Sequence, residues 1–350
     1  MEFRFTEDQL TFHASLRKAL EKECTVAHLR ALWATETGRS PERWAKLAEL
    51  GLLGLLVPGE HGGLGMNEVD LVLLLEETGR VALPEPVIET AAVGAPLLAA
   101  TKLAEEWLPK VAVGEAIVTF GHPLNPFVTD AHVADLLLLP HGDELHAVPR
   151  VQVALQHEPC SDASRRLFRV NWTPKAATRV AQGTDAQRLL AAALDRAALA
   201  CAAQQLGIGQ QMLDLGVRYA TERQQFGKPI GSFQAVKHLL ANVAVRIEFA
   251  RPVVYRAAFS VAHETAARAV DVSHAKVAAS EAAVLAAKTV HQVHGAMGYT
   301  WECDLHIWMK RAWALEAAWG TSAWHRARVA AAVIDGRGPA ATFGYSAPGA

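Results

Sequence analysis

Apolar residues recur at helical spacing through the first part of the chain. Thr6-Glu7-Asp8 opens a helix that carries Leu10, Phe12, Leu16 and Leu20. Ser40-Pro41-Glu42-Arg43 places a proline in the first turn of a helix bearing Trp44, Leu47 and Leu50. A glycine-rich loop, Pro58–Gly65, leads to an amphipathic stretch over Asn67–Gly79. Near Gly114 the period changes. Ala116–Phe120, Val133–Leu139, Leu145–Val148, Val151–Leu155 and Leu167–Trp172 are short apolar runs bounded by Gly, Pro, Asn and Asp, and they predict a small antiparallel sheet. From about Asp185 helical spacing returns, with Leu190, Leu194, Ala198 and Cys201 on one face and Gly207 and Gly209 permitting close helix contact. Ser232 is the predicted N-cap of a further helix whose Val236, Leu239, Leu240, Val243 and Ile247 share a face. Ala278, Ala279, Ala282, Ala283, Ala286 and Ala287 then put small residues on a long helix, which favours tightly packed antiparallel helices. The expected architecture is mainly α with a small β-domain (α+β). It comprises an N-terminal helical domain over 1–112, a shortened antiparallel β middle domain over 113–178 and a C-terminal four-helix bundle over 179–350, its last dozen residues fraying.

Composition narrows the class. The chain has 350 residues, of which 51% are hydrophobic and 20% charged, the signature of a well-buried fold rather than disorder. A net charge of −2 gives no electrostatic reason to expect nucleic acid or an anionic membrane as partner. The four cysteines, Cys24, Cys160, Cys201 and Cys303, form no CxxC pair and read as reduced, buried thiols. MEFRFTEDQL does not read as a signal peptide, and no apolar run approaches a membrane span. A soluble, cytoplasmic protein is expected.

Two tempting motifs fail. Gly207-Ile208-Gly209 has Met212 at the sixth position and no strand before it, so it is not a dinucleotide fingerprint. His291 and His294 have the spacing of a metal pair but no carboxylate–cysteine set beside them, so no metal is expected. A third stretch is more informative. Arg223-Gln224-Gln225-Phe226-Gly227-Lys228-Pro229-Ile230 sets an arginine, a glutamine pair and an aromatic at a tight junction between helices. A guanidinium there, with free backbone N–H groups nearby, suits an anionic diphosphate.

That stretch, with Phe233-Gln234-Ala235-Val236-Lys237-His238 behind it, resembles the flavin-dependent acyl-CoA dehydrogenases. Two more segments carry the resemblance: LAELGLLGLLVPGEHGGLG followed by Glu77-Thr78-Gly79-Arg80, and His291-Gln292-Val293-His294-Gly295-Ala296-Met297-Gly298-Tyr299-Thr300. The resemblance implies FAD, an acyl-CoA substrate, α,β-dehydrogenation of its thioester, and an electron-transferring flavoprotein as acceptor. It also implies flavin contacts across a subunit interface from Arg223, Gln225, Phe226, Gln292, Gly295 and Gly298, with Ala296 in place of the second glycine of a pair.

The sequence departs from the family in two respects. Val118-Thr119-Phe120-Gly121-His122-Pro123 stands where the family has a flavin-ring motif, and no glycine-serine follows it. The two positions implied for the catalytic base hold Trp319, before Gly320-Thr321, and Ala197. Asp195 is the nearest carboxylate to Ala197 but lies about 200° away around the helix, and beside Arg196 it reads as a solvated or ion-paired surface group; Glu302 and Glu316 have plain structural readings. The chain therefore resembles the short, base-less subunit of bacterial heterotetrameric acyl-CoA dehydrogenases, which act on bulky thioesters such as those of steroid side chains. FAD would then be shared with a second acyl-CoA dehydrogenase-like chain. Two other readings stand beside this one: a self-sufficient homo-oligomer (dimer or tetramer) using a carboxylate such as Asp195, and a flavin-free scaffold on the same fold.

Overall fold

The computed structural model describes residues 3–336, so the expectation for the last dozen residues lies outside them. The chain opens with α1 (Glu7–Glu23), α2 (Val26–Trp33), α3 (Pro41–Glu49) and α4 (Glu68–Arg80), then a π-helical segment (Ile88–Gly94) that runs into α5 (Ala95–Ala99), and α6 (Ala104–Ala112). Seven strands follow: β1 (Val118–Phe120), β2 (Val128–Thr129), β3 (Leu136–His141), β4 (Glu144–Pro149), β5 (Ala154–Glu158), β6 (Leu167–Asn171) and β7 (Arg179–Gln182). The remainder is α7 (Gly183–Glu222), a hairpin of β8 (Gln224–Gln225) and β9 (Lys228–Pro229), α8 (Gln234–Ala262), α9 (Arg268–His294), α10 (Leu305–Ala317) and α11 (Ser322–Val333). The protein is mainly α with a small β part, as the change of period at Gly114 predicts. Among the described residues no helix is long and apolar enough to cross a membrane.

By internal contacts the chain forms two compact units. The first comprises Lys22–Leu74 and Pro84–Ala200. Ser40 caps α3 by accepting from the Arg43 amide at 3.2 Å, with Pro41 in the first turn, as its sequence requires. The strands form not one antiparallel sheet but two, ordered β1-β3-β4-β7 and β2-β6-β5, and β1 pairs with β3 in parallel. Val128, Leu137, Leu139, Val148 and Phe168 meet in one core, drawn from both sheets. Val151 is not in a strand. It lies 91% exposed in a 3-10 turn, and β5 begins at Ala154. Asp130 sits at the edge of this core with φ +59°, paired with the buried Arg39.

The second unit comprises the residues up to Glu21, Leu75–Leu83 and the chain from Cys201 onward. Its centre is α9, whose Ala279, Ala282, Ala283, Ala286 and Ala287 are all but fully buried. With only methyl groups on that stripe, neighbouring helices approach closely, and α7 to α10 form the expected bundle with α11 packed on α9. The closest approach is between α4 and α7. A Cβ on Gly207 would lie 1.8 Å from the Glu76 carbonyl oxygen, and one on Gly79 would lie 2.0 Å from that of Gln204. Two expectations for α8 fail. Phe233, not Ser232, is its N-cap residue, without a side-chain hydrogen bond, because Ser232 is taken up in a 3-10 turn over Ile230–Ser232. Leu240, Val243 and Ile247 are buried, but Leu239 is 39% exposed, since it sits at the edge of the stripe. The thiols also divide: Cys24 and Cys201 are buried, while Cys160 and Cys303 are partly exposed.

Candidate functional site

The arginine-bearing stretch is a β-hairpin standing off the end of the bundle. Gln225 pairs with Lys228, and Phe226 and Gly227 make the two-residue turn with φ of +55° and +75°. Two consecutive positive φ values suit the turn that closes such a hairpin, and glycine provides one of them at no cost. Phe226 provides the other, and its ring is 90% exposed. Phe233 fixes the hairpin from behind: the Phe226 ring meets it edge-on at 6.0 Å, and Lys228 Nζ lies 4.5 Å over its face. Every residue from Thr221 to Lys228 is exposed. Among the described residues, the Arg223 guanidinium and the Gln225 side-chain amide make no hydrogen bond or ion pair.

The glutamine-bearing stretch is the end of α9. Gln292 is exposed, also without a side-chain partner among the described residues. Gly295 ends the helix at φ +58°, ψ −136°, a conformation only glycine adopts readily. A Cβ on Gly298 would lie 2.9 Å from His291 Nδ1. Both glycines thus have reasons within the chain itself, and neither requires a nucleotide to explain it. Ala296 is exposed at the same turn.

Tyr219, which the sequence motifs do not single out, and His294, considered there only as half of a metal pair and as part of the family motif, bring the two stretches together. Their rings stack at 4.2 Å with an interplanar angle of 20°, and Tyr219 Oη donates to the His294 carbonyl at 3.4 Å. Burial pushes the His294 pKa below its ordinary value, which keeps the ring neutral, and its Nδ1 donates to the Val290 carbonyl at 2.8 Å. Tyr219 lies one turn before Arg223, and His294 two residues after Gln292. Both predicted groups therefore emerge at the same end of the bundle. A guanidinium, two amides and an aromatic ring held out from the chain fit a phosphorylated, ring-bearing group such as FAD, as one wall of its site.

The positions expected to hold a base hold none. Trp319 is 2% exposed, with φ +58°. Its turn is fixed by two side chains from the core. Lys276 Nζ, fully buried, donates to the carbonyls of Leu315 at 2.9 Å, Glu316 at 3.0 Å and Gly320 at 3.2 Å. His325 Nε2 donates to the Trp319 carbonyl at 2.9 Å, and its Nδ1 lies 3.0 Å from Ser273 Oγ. A lone lysine on the small-residue stripe of α9 is the sequence signal that could have identified this clamp. Glu316 accepts from the Ser322 amide at 3.1 Å, and Glu302 is exposed. Ala197 is fully buried. Asp195 is corrected: it is 1% exposed, not a surface group, and Arg196 pairs instead with Glu68 at 2.7 Å.

The Val118–Pro123 stretch is occupied with its own packing. Thr119 is fully buried and its hydroxyl donates to the Thr129 carbonyl at 2.6 Å, while a Cβ on Gly121 would lie 3.0 Å from Leu139. Among the described residues no group of three or more His, Cys, Asp or Glu side chains could hold a metal ion.

Comparison with known proteins agrees with the architecture over most of the chain. Residues 6–115 match the model of the acyl-CoA dehydrogenase N-terminal domain and 187–334 that of the C-terminal domain. The acyl-CoA dehydrogenase IpdE2 of Mycolicibacterium smegmatis is 34% identical over 309 residues, covering 88% of this chain and 93% of the relative. A glutaryl-CoA dehydrogenase of Desulfococcus multivorans is 25% identical over 86% of this chain and 90% of its own. Among solved structures, the ChsE4–ChsE5 complex of Mycobacterium tuberculosis superposes with a TM-score of 0.85 at 26% identity, over 96% of this chain and 99% of the other. The chain belongs to the acyl-CoA dehydrogenase family of oxidoreductases.

Proposed function

We propose that this acyl-CoA dehydrogenase acts as a subunit that contributes one wall of an FAD site to a related, base-bearing chain. One observation carries the reading: Arg223, Gln225 and Gln292 stand exposed at the same end of one bundle, their side chains without partners among the described residues. Side chains held away from their own chain suit a surface that a second chain completes. Arg223 would neutralise the diphosphate of the cofactor, Gln225 and Gln292 would hydrogen-bond its polar atoms, and Phe226 would cover it from water. FAD, when bound, supplies the hydride acceptor for α,β-dehydrogenation of an acyl-CoA thioester. Neither Trp319 nor Ala197 can take the α-proton, so the proton goes to a carboxylate of the partner. The likeness to ChsE4–ChsE5, named as a complex of two chains, supports a hetero-oligomer. An electron-transferring flavoprotein would take the electrons, as in the family.

A second reading rests on the burial of Asp195. A carboxylate taken out of water in this stretch of α7 is the kind of group that serves as a base, and a self-sufficient homo-oligomer would use it.

One experiment separates the two. The chain is purified alone and after co-expression with an acyl-CoA dehydrogenase-like chain from its own gene neighbourhood, and flavin absorbance per chain is recorded with assembly mass. Flavin in the co-expressed form only, at about one per two chains, is expected, and Arg223→Ala should lower flavin retention there. Unchanged flavin content in that variant would sink the cross-interface role. Full flavin occupancy and turnover in the isolated chain would establish the self-sufficient reading.

A further inference from the structure

The first compact unit contains a hollow that the flavin reading leaves unused and that is independent of it. It lies against the start of α3, where Pro41, Trp44 and Ala45 share one helical face. Pro86, Ile117 and Val133 close it from the segments before the π-helix, β1 and β3. Its volume is about 360 Å³, within the roughly 300–1,000 Å³ of small-molecule sites. Trp44 Nε1 donates to the Gly114 carbonyl at 3.1 Å, so the indole has its polar edge occupied and offers the hollow apolar surface.

Two buried charged side chains also line it, and each has one polar atom left over. The Arg39 side chain is 6% exposed and that of Glu85 1%. Arg39 pairs with Asp130 and donates from Nη1 to the Gly38 carbonyl at 2.7 Å, yet its Nε–H has no partner among the described residues. Glu85 Oε1 accepts from Arg43 Nη1 at 3.0 Å and from the Ser40 amide at 3.3 Å, yet Oε2 has no partner there either. Native proteins seldom leave such groups unsatisfied. The Thr37 and Ser40 hydroxyls are engaged within their own segment. Arg39 is matched by Asp130 and Arg43 by Glu85, so a charged ligand would bring an uncompensated charge into a mostly apolar hollow. We infer that the hollow binds a small neutral aromatic carboxamide, its carbonyl accepting from Arg39 Nε, its N–H donating to Glu85 Oε2 and its ring against Trp44. An amide carries donor and acceptor on one rigid group, and a planar ring loses little freedom on binding. A carboxylate of the same shape satisfies Arg39 but sets a second negative charge against Glu85.

Calorimetric titration of the full chain with benzamide tests this, with benzoate as the charged isostere and N,N-dimethylbenzamide as the form without an N–H. Saturable 1:1 binding of benzamide is expected, at least tenfold tighter than either control. Ala45 is exposed at the rim of the hollow. Ala45→Phe should therefore fill the hollow without disturbing either ion pair, abolishing binding at the parent's unfolding temperature. Glu85→Gln should turn the preference over: with one carboxylate gone, benzoate should bind at least as tightly as benzamide. If Glu85→Gln does not fold, Ala45→Phe decides alone. Absence of saturable benzamide binding overturns the proposal and leaves the hollow to water. Binding unchanged in Ala45→Phe, benzoate matching benzamide in the parent, or an unaltered preference in folded Glu85→Gln overturns it equally.

Discussion

Trp319 holds a left-handed backbone conformation that costs a bulky residue on the order of 1–3 kcal/mol and persists only where its surroundings over-determine it. Lys276 and His325 do so by satisfying four carbonyls, those of Leu315 and Glu316 at the end of α10 and those of Trp319 and Gly320 in the turn itself. Removing the ammonium would leave three of them without that donor, at about 1–3 kcal/mol for each that stays buried. Lys276→Met should therefore lower the urea midpoint by the equivalent of about 3 kcal/mol or more. Lys288→Met, on the exposed side of α9, should leave it unchanged; equal midpoints for the two variants would refute the clamp. The identity of Trp319 was legible in the sequence, and its consequence for proton transfer follows from the indole alone. What holds it was not legible. Periodicity marks Lys276 as lying among buried positions, but which carbonyls an ammonium meets depends on where α10 ends in space. Asp195 illustrates the same limit, because a charged side chain on a helix reads as solvated until its neighbours are known.

At the scale of elements, the β8–β9 hairpin spends local stability on an exposed aromatic. A left-handed Phe226 costs roughly 1–2 kcal/mol more than glycine would there, although glycine also gives the unfolded chain more freedom. Phe226→Gly should thus leave the unfolding free energy of the isolated chain within about 1 kcal/mol of the parent, while the co-expressed assembly dissociates at higher protein concentration in sedimentation velocity. Unaltered assembly would show that the ring serves no interface. A tight turn at Phe226-Gly227 was readable, as a junction between helices and not as a hairpin, and so were the alanine stripe of α9 and the start of α3. Strand partnership was not. Alternation tells which side chains turn inward but not which strand lies alongside, so the parallel pairing of β1 with β3 was out of reach. β7 has no alternation at all, its residues being half-buried or exposed.

For the whole molecule, acid should be destabilising through imidazoles that are buried or half-buried. Burial lowers the His122 pKa to about 4, and those of His132 and His294 below their ordinary value. A histidine whose folded pKa lies below its unfolded one favours folding while neutral, and that contribution is lost as pH falls from about 6.5 toward the folded value. Glu76 and Glu89 act in the opposite sense. Burial raises their folded pKa values, so their contribution is present at low pH and is lost as pH rises through those values. A difference measurement isolates one group: the unfolding temperature of the parent should fall more steeply than that of His122→Gln between pH 6.5 and 4. Parallel profiles would show that His122 does not titrate with unfolding.

The contact of α4 with α7 through Gly79 and Gly207 bears on how such a sequence can diverge. A seam of side chains has slack, because one rotamer yields when its neighbour grows. A seam of bare backbone has none, since even a methyl group would overlap a carbonyl oxygen. Drift can therefore alter much of the alanine stripe by compensation, one residue against another, while these two positions admit no partner change. A deletion or insertion between the seam and the rest of either helix rotates a Cβ into it, so the two helices can change length only beyond the seam.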